Sequence, residues 1–227
     1  MTSTKTSIGV IFGGVSGEHD VSIQSARNII KALKSVDNIK KFNVISFYID
    51  KRGKWHSGDF SKQILCGNRK ENKENSPVKT LSDNLLVFSQ QKENIDIWFP
   101  VLHGPNGEDG TIQGLLKLTG RPFVGSGVLG SSVGMDKLIM KAIFSSQRLA
   151  QVPYIGANIS QLNNNLRTEL IQKVENELGY PCFIKPANLG SSVGITKAKN
   201  KSELIKGLIF ASEFDPRVVI EKAVLAR

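Results

Sequence analysis

The chain has 227 residues, 40% hydrophobic and 22% charged, an ordinary balance for a globular protein of one large or two modest domains. No apolar run approaches the roughly 20 residues that span a bilayer, and Met1 to Ser7 lacks the apolar core of a secretory signal, so a cytoplasmic protein without a membrane partner is expected. The formal net charge is +10, but the lysines and arginines are scattered or fall in one loop, without aromatic interleaving, which points away from nucleic acid and toward an anionic small molecule such as a nucleotide.

In chain order, Ile8 to Phe12 is a short apolar run that ends in Gly13-Gly14-Val15-Ser16-Gly17-Glu18-His19-Asp20. From Val21 to Leu33, apolar residues recur at near-helical spacing, with Asp20 or Ser22 available as N-cap. Strand, glycine turn and helix open a doubly wound α/β sheet, whose ligands sit at the strand ends. The glycines do not spell the dinucleotide fingerprint. Glu18 reads either as a helix N-terminal charge that favours the dipole or as a carboxylate held in the turn for a small amine. Phe42 to Ile49 alternates into a second strand, and Tyr48 to Trp55 looks like a strand with a turn. Cys66 follows in a polar connector, and residues 67–79 form a low-complexity polar run that cannot bury a face. A third strand, Ile95 to Leu102, delivers His103-Gly104-Pro105-Asn106-Gly107-Glu108-Asp109-Gly110. His103 is either a hydrogen-bonded structural residue or a functional one at a strand's carboxyl end. Glu108 and Asp109 read as cap and turn residues of the next helix, Thr111 to Thr119, rather than as a metal pair. A strand from Arg121 to Val124 follows.

Val128 to Arg148 is expected as one helix, with Met135, Leu138, Ile139, Ala142 and Ile143 as its apolar stripe and Met135-Asp136-Lys137 in its interior. It marks the passage from a first domain, residues 1–132, to a second, residues 133–227. Lys137 reads as a solvated charge or as a ligand for an anion. Pro153 to Ile159 is a strand, and Thr168 to Leu178 a helix stopped by Gly179. Next, an apolar strand from Tyr180 to Ile184, with Cys182 as a small core residue, carries Lys185 to its end, where Pro186 stops it. The turn Gly190-Ser191-Ser192-Val193-Gly194 and a β-branched run to Lys197 complete the pattern of a phosphate clamp: small residues let backbone N–H groups close on an anion beside a lysine point charge. The alternative is a Gly-Ser hairpin with a surface lysine. A helix from Ser202 to Phe210, with Asn200 as cap and Glu203 three residues on, and a strand from Val218 to Glu221 end the chain's regular elements.

Five motifs in this order resemble the D-alanine:D-alanine ligases of the ATP-grasp superfamily: Gly-Gly-x-Ser-x-Glu at 13–18, Leu-His-Gly-x-x-Gly-Glu-Asp-Gly at 102–110, Met-Asp-Lys at 135–137, the lysine strand with its Ser-Ser turn at 185–194, and Glu-Lys-x-Val at 221–224. The resemblance implies an N-terminal, Rossmann-like pre-ATP-grasp domain followed by the first α+β subdomain of an ATP-grasp fold. It implies that Glu18 and His103 grip the first D-alanine, with Ser191 tethering Glu18. Lys137, Lys185, Gly190, Ser191, Ser192 and Val193 would hold ATP phosphates, and Glu221, Lys222 and Val224 the purine. The implied reaction is ATP-dependent joining of two D-alanines through an acyl phosphate, for peptidoglycan synthesis, by a homodimer paired through its first domain.

Family members continue past the Glu-Lys-x-Val hinge into a second ATP-grasp subdomain that carries the ligands for Mg²⁺ (or Mn²⁺). The chain is therefore expected to be a fragment that lacks that half and holds no metal ligands itself, and loss of an acidic segment would explain the basic balance. Two other readings stand beside this one: a D-alanine:D-lactate or D-alanine:D-serine ligase, and a catalytically inactive chain that dimerises or binds nucleotide weakly.

Overall fold

The computed structural model describes residues 5–68, 95–161 and 164–225. The chain divides into two compact units, Met1–Ser132 and Val133–Arg227.

In the first unit, β1 (Thr6–Gly13) is flanked by two parallel partners, β2 (Phe42–Ile49) and β4 (Ile97–Pro100), and β3 (Trp55–Ser57) pairs antiparallel to β2 at the edge. The order is β3-β2-β1-β4. Helices α1 (His19–Leu33) and α2 (Asp59–Cys66) cover one face through Ala26, Ile30 and Ile64, packed on Val10, Phe12 and Tyr48. Helix α3 (Thr111–Leu118) covers the other through Ile112 and Leu116, packed on Ile11, Phe47 and Trp98. Burial on both faces is why β1 reads as an unbroken apolar run instead of an alternating one.

Gly13 ends β1 at φ +91°, and a Cβ there would lie 2.1 Å from the Ile49 carbonyl oxygen. Only glycine lets the chain turn out of the sheet at that point. The expected cap by Asp20 or Ser22 is not made: the N-cap position of α1 is Glu18, without a side-chain cap bond. Ser22 is instead buried, accepting from the Gly13 N–H (2.8 Å) and donating to the Val101 carbonyl (2.5 Å), so it ties the carboxyl ends of β1 and β4 together. Three further expectations change. The connector around Cys66 contains α2, whose Phe60 and Ile64 spacing and left-handed Gly67 stop were legible signals. Arg121 to Val124 makes only an isolated bridge, Trp98 to Phe123. Most of the polar run 67–79 lies outside the described residues.

In the second unit, four antiparallel strands run in the order β5-β8-β6-β7: β5 (Tyr154–Asn158), β6 (Cys182–Pro186), β7 (Thr196–Ala198) and β8 (Arg217–Lys222). One face, with Ile155, Cys182, Ile184, Val218 and Ile220, is sealed by α6 (Asn164–Glu177) and α7 (Lys201–Ser212). Asn200 caps α7 by accepting from the Glu203 N–H (2.9 Å), and Glu203 accepts from the Lys199 N–H in return (2.9 Å), as the spacing predicts. The other face carries Tyr154, Gly156, Phe183, Lys185, Val219 and Glu221. The lysine strand starts two residues later than expected, so Lys185 and Pro186 lie inside it, paired with Val219 and Val218.

The long helix expected over 128–148 is two helices, α4 (Val128–Met135) and α5 (Lys137–Ser146). Asp136 breaks it, adopting an extended backbone and accepting from the N–H groups of Leu138 and Ile139. Among the described residues, no helix is long and apolar enough to cross a membrane.

Gly13→Ala forces both a left-handed backbone and a steric overlap, and should lower the stability of the first unit by about 2–4 kcal/mol. Trp55 and Trp98, the chain's only tryptophans, both lie in that unit, so the urea midpoint of their fluorescence checks this directly.

Candidate functional site

Two clusters of functional side chains emerge, one in each unit. In the first unit, the loops after β1 and β4 meet at the carboxyl ends of the strands, on either side of the point where strand order reverses. Ser16 fastens them, its hydroxyl donating to the His103 carbonyl (2.9 Å) while accepting from the Glu18 N–H (3.2 Å). The Glu18 carboxylate lies against Gly104, where a Cβ would come within 2.7 Å of Oε2. His103 pairs through Nε2 with the Ser25 hydroxyl (3.2 Å). The structure thus brings Glu18 and His103 to one place. Asp109 and Glu108 act as turn residues: Asp109 accepts from the Asn106 and Thr111 N–H groups, Glu108 from that of Gly104. Burial opposes ionisation of Asp109, yet these bonds outweigh it and hold its carboxyl below the ordinary range.

His19, inside the glycine-rich run, has a structural task. It is buried, donates from Nδ1 to the Gly14 carbonyl (2.7 Å), and pairs at Nε2 with the Tyr48 hydroxyl (3.1 Å). A carbonyl can only accept, which puts a proton on Nδ1. At the end of β1, a cavity of about 210 Å³ is lined mainly by apolar groups, among them Val15, Ile49, Trp55, Leu102 and Leu115, with His103 at its wall.

In the second unit, the open face of the sheet holds a cationic cluster. Glu221 sits opposite Phe183 and diagonal to Lys185 in the register, and its carboxylate takes Lys185 Nζ on one oxygen (2.5 Å) and Lys141 Nζ on the other (2.8 Å). Burial pushes the Glu221 carboxyl upward, but the bonds from Lys141 and Lys185 prevail and hold it below the ordinary value. Lys137, one helical turn before Lys141, donates to the carbonyls of Pro186 (3.2 Å) and Leu189 (2.5 Å). Burial first, and then the neighbouring Lys185 ammonium, keep Lys137 below the ordinary lysine value. Gly156 lets α5 approach the sheet this closely, since a Cβ there would meet Leu138 at 2.8 Å.

The turn after β6 is lashed down on its near side. Asp215 accepts from the Asn188 N–H (2.9 Å), Arg217 accepts through its carbonyl from Ala187 (2.8 Å), and the Arg217 guanidinium reaches Asp136 (2.7 Å). Beyond Gly190, Ser191 and Ser192 adopt φ of 51° and 60°, and Gly194 φ of 73°, with Ser191, Ser192 and Val193 exposed. Non-glycine residues rarely take this conformation, and paired outliers beside a cation cluster mark a loop shaped for more than connection. The turn joins β6 to its antiparallel partner β7, and of the β-branched run expected to Lys197 the strand comprises Thr196–Ala198. Lys222 and Val224 lie at and past the end of β8 and are exposed.

Sequence reasoning missed Lys141. Its position four residues after Lys137 on a helix was the available signal. Among the described residues, no group of three or more His, Cys, Asp or Glu could hold a metal ion.

Both units are similar to known proteins. Residues 7–126 match the family model described as D-ala D-ala ligase N-terminus, and residues 143–227 match D-ala D-ala ligase C-terminus. The chain belongs to the D-alanine–D-alanine ligase family. Relatives bearing that ligase's name include proteins from Prochlorococcus marinus strain SARG, 54% identical over the whole chain, and from Synechococcus strain WH7803, 50% identical. The chain spans 65% of the length of each. Among solved structures, it is similar to the VanG D-Ala:D-Ser ligase of Enterococcus faecalis, with TM-score 0.77 and 32% identity, over 98% of this chain and 64% of that one. The D-alanine-D-alanine ligase of Coxiella burnetii matches with TM-score 0.77 and 27% identity, over 98% and 65%. The mixed α/β sheets described above are the fold of these ligases.

Asp136 carries both the cap of α5 and an ion pair with Arg217. Asp136→Ala should cost about 1–3 kcal/mol, and Asp136→Asn, which keeps the cap acceptor, should lose less. Thermal melting followed by far-ultraviolet circular dichroism separates the two.

Proposed function

We propose that this chain supplies the surfaces for the first amino acid and for nucleotide phosphates in an ATP-dependent ligase that joins two D-alanines. Residues 1–132 serve as the pre-ATP-grasp domain and residues 133–227 as the first ATP-grasp subdomain. The observation that carries the reading is the lysine cluster on the open face of the second sheet, beside a strained serine turn, in a chain of this family.

A carboxylate is a poor electrophile, so amide formation needs its activation. In the proposed reaction a carboxylate oxygen of the first D-alanine attacks the γ-phosphorus of ATP, and ADP leaves with the bond electrons. The amine of the second D-alanine then attacks the acyl carbon, phosphate departs, and the amine proton is lost to solvent or a base. Lys137 and Lys185 neutralise phosphate oxygens, and Gly190, Ser191, Ser192 and Val193 close over them, so catalysis comes from placement and charge. Glu18 receives the ammonium of the first D-alanine, next to His103. The Glu221 carboxylate is engaged by two lysines, so its purine contacts would come from its main chain, with Lys222 and Val224 beyond it. The Mg²⁺ (or Mn²⁺) that such a reaction uses finds no carboxylate cluster among the described residues, and no step is assigned to it.

D-alanine is favoured as second substrate over D-serine because relatives named for D-alanine reach 54% identity, against 32% for the D-Ala:D-Ser neighbour. Peptidoglycan synthesis, a cytoplasmic location and pairing of two copies through the first domain complete the proposal.

Titration of the chain with a fluorescent ATP analogue should show saturable binding that Lys185→Ala weakens by about tenfold or more, the loss expected of one charge-assisted bond. Saturation-transfer NMR should detect D-alanine but not L-alanine, and Glu18→Gln should abolish that signal while sparing the nucleotide. Absence of nucleotide binding overturns the proposal. A further expectation follows from the lowered Lys137. Polyphosphate prefers the ammonium form, so affinity should fall as pH rises, beginning below the ordinary lysine value of 10.5. Lys137→Arg, which stays charged, should remove that part of the decline.

A further inference from the structure

Helix α5 packs Leu138 on the sheet at Gly156 and, unlike an ordinary surface helix, buries a lysine while isoleucines stay exposed. Its apolar Ile139 and Ile143 are 47% and 40% exposed, while Lys141 is buried to 7%. An apolar stripe normally faces the core, and burying an ammonium is costly unless it is paired. Lys141 meets that cost with two partners: Oε1 of Glu221 at 2.8 Å and the face of the Tyr154 ring, whose centroid lies 4.9 Å from Nζ. Tyr154 and Glu221 are directly opposite each other in the β5–β8 register, so the strands hold both partners in place. Its main chain is fixed too, the carbonyl accepting from the Gln151 amide (2.9 Å).

Glu221 therefore has two ammonium partners for one negative charge. They differ in mobility. The Lys141 side chain is 8% exposed and boxed in, whereas that of Lys185 is 24% exposed, at the rim of the same face. We infer that Lys141 is the standing counter-charge of Glu221, which frees Lys185 to leave that carboxylate for a bound polyphosphate. Lys141 is thus a positioning residue: it touches no phosphate and acts through Glu221. Without it, Lys185 becomes the only partner of a half-buried carboxylate, and moving it to a ligand would strand that charge. The inference rests on the nucleotide reading above.

The test measures ATP and adenosine affinity of the chain by calorimetry for wild type, Lys141→Met, Lys141→Arg, Glu221→Gln and the Lys141→Met/Glu221→Gln pair. Lys141→Met should weaken ATP about tenfold and leave adenosine unchanged, because only phosphate competes for Lys185. Lys141→Arg, which keeps the charge, should stay close to wild type. The pair should bind ATP within a few-fold of Glu221→Gln alone, since a neutral amide no longer holds Lys185 back; this comparison decides the matter even if Lys141→Met does not fold. A purely structural role for Lys141 would lower ATP and adenosine together and would persist in the pair, and either result overturns the inference. Wild-type affinity in Lys141→Met does the same while leaving the nucleotide reading intact. A wild-type chain that binds no ATP overturns both.

Discussion

The second unit depends on a single carboxylate shared between two ammonium groups. Glu221 lies on the face of the sheet that α6 and α7 do not cover, where desolvation works against its charge and the lysines restore it. Because the carboxylate sits on β8, it draws a lysine from the adjacent strand and another from α5, and in doing so fixes the helix to the sheet. Hydrophobic packing contributes little more than Leu138 against Gly156, since Ile139 and Ile143 are exposed, and the helix is held besides by Lys141 and by the cap and ion pair of Asp136.

The first unit solves a different problem with polar crosslinks of another kind. Its parallel strands are buried on both faces, so their carboxyl ends are where loops can display chemistry. Two serines hold those loops: Ser22 joins the end of β1 to the end of β4, and Ser16 joins the glycine turn to His103. With His19 pinned under Gly14, the Glu18 carboxylate is presented against Gly104, on a backbone with little freedom. A small ligand arriving there meets groups already ordered, which reduces the entropy it must lose on binding.

The second cluster places its charged side chains on regular elements and its exposed hydroxyls on a strained turn. Strand register sets the positions of Lys185 and Glu221 to within the reach of a hydrogen bond. The turn at Ser191 and Ser192, by contrast, departs from ordinary backbone geometry, and its near side is held by Asp215, Arg217 and Lys137.

By itself, the sequence determined whatever is encoded over a few neighbouring residues. Apolar periodicity and turn chemistry located most strands and helices, the Asn200 and Glu203 cap and the stop at Gly179, whereas Lys137, Lys185, Ser191, Glu18 and His103 were singled out as a set only by their resemblance to a family's motifs. Only the tertiary structure decided that α5 buries a lysine, that Asp136 interrupts a helix that periodicity alone would continue, and that Glu221 binds two lysines through its side chain. The reason is physical. A helical wheel reports hydrophobicity but not which face meets a buried carboxylate, and pairing between Lys141 and Glu221 exists only once β8 is placed beside β5 and β6 in a particular register. Interactions between residues far apart in sequence are set by that register, which no local pattern contains.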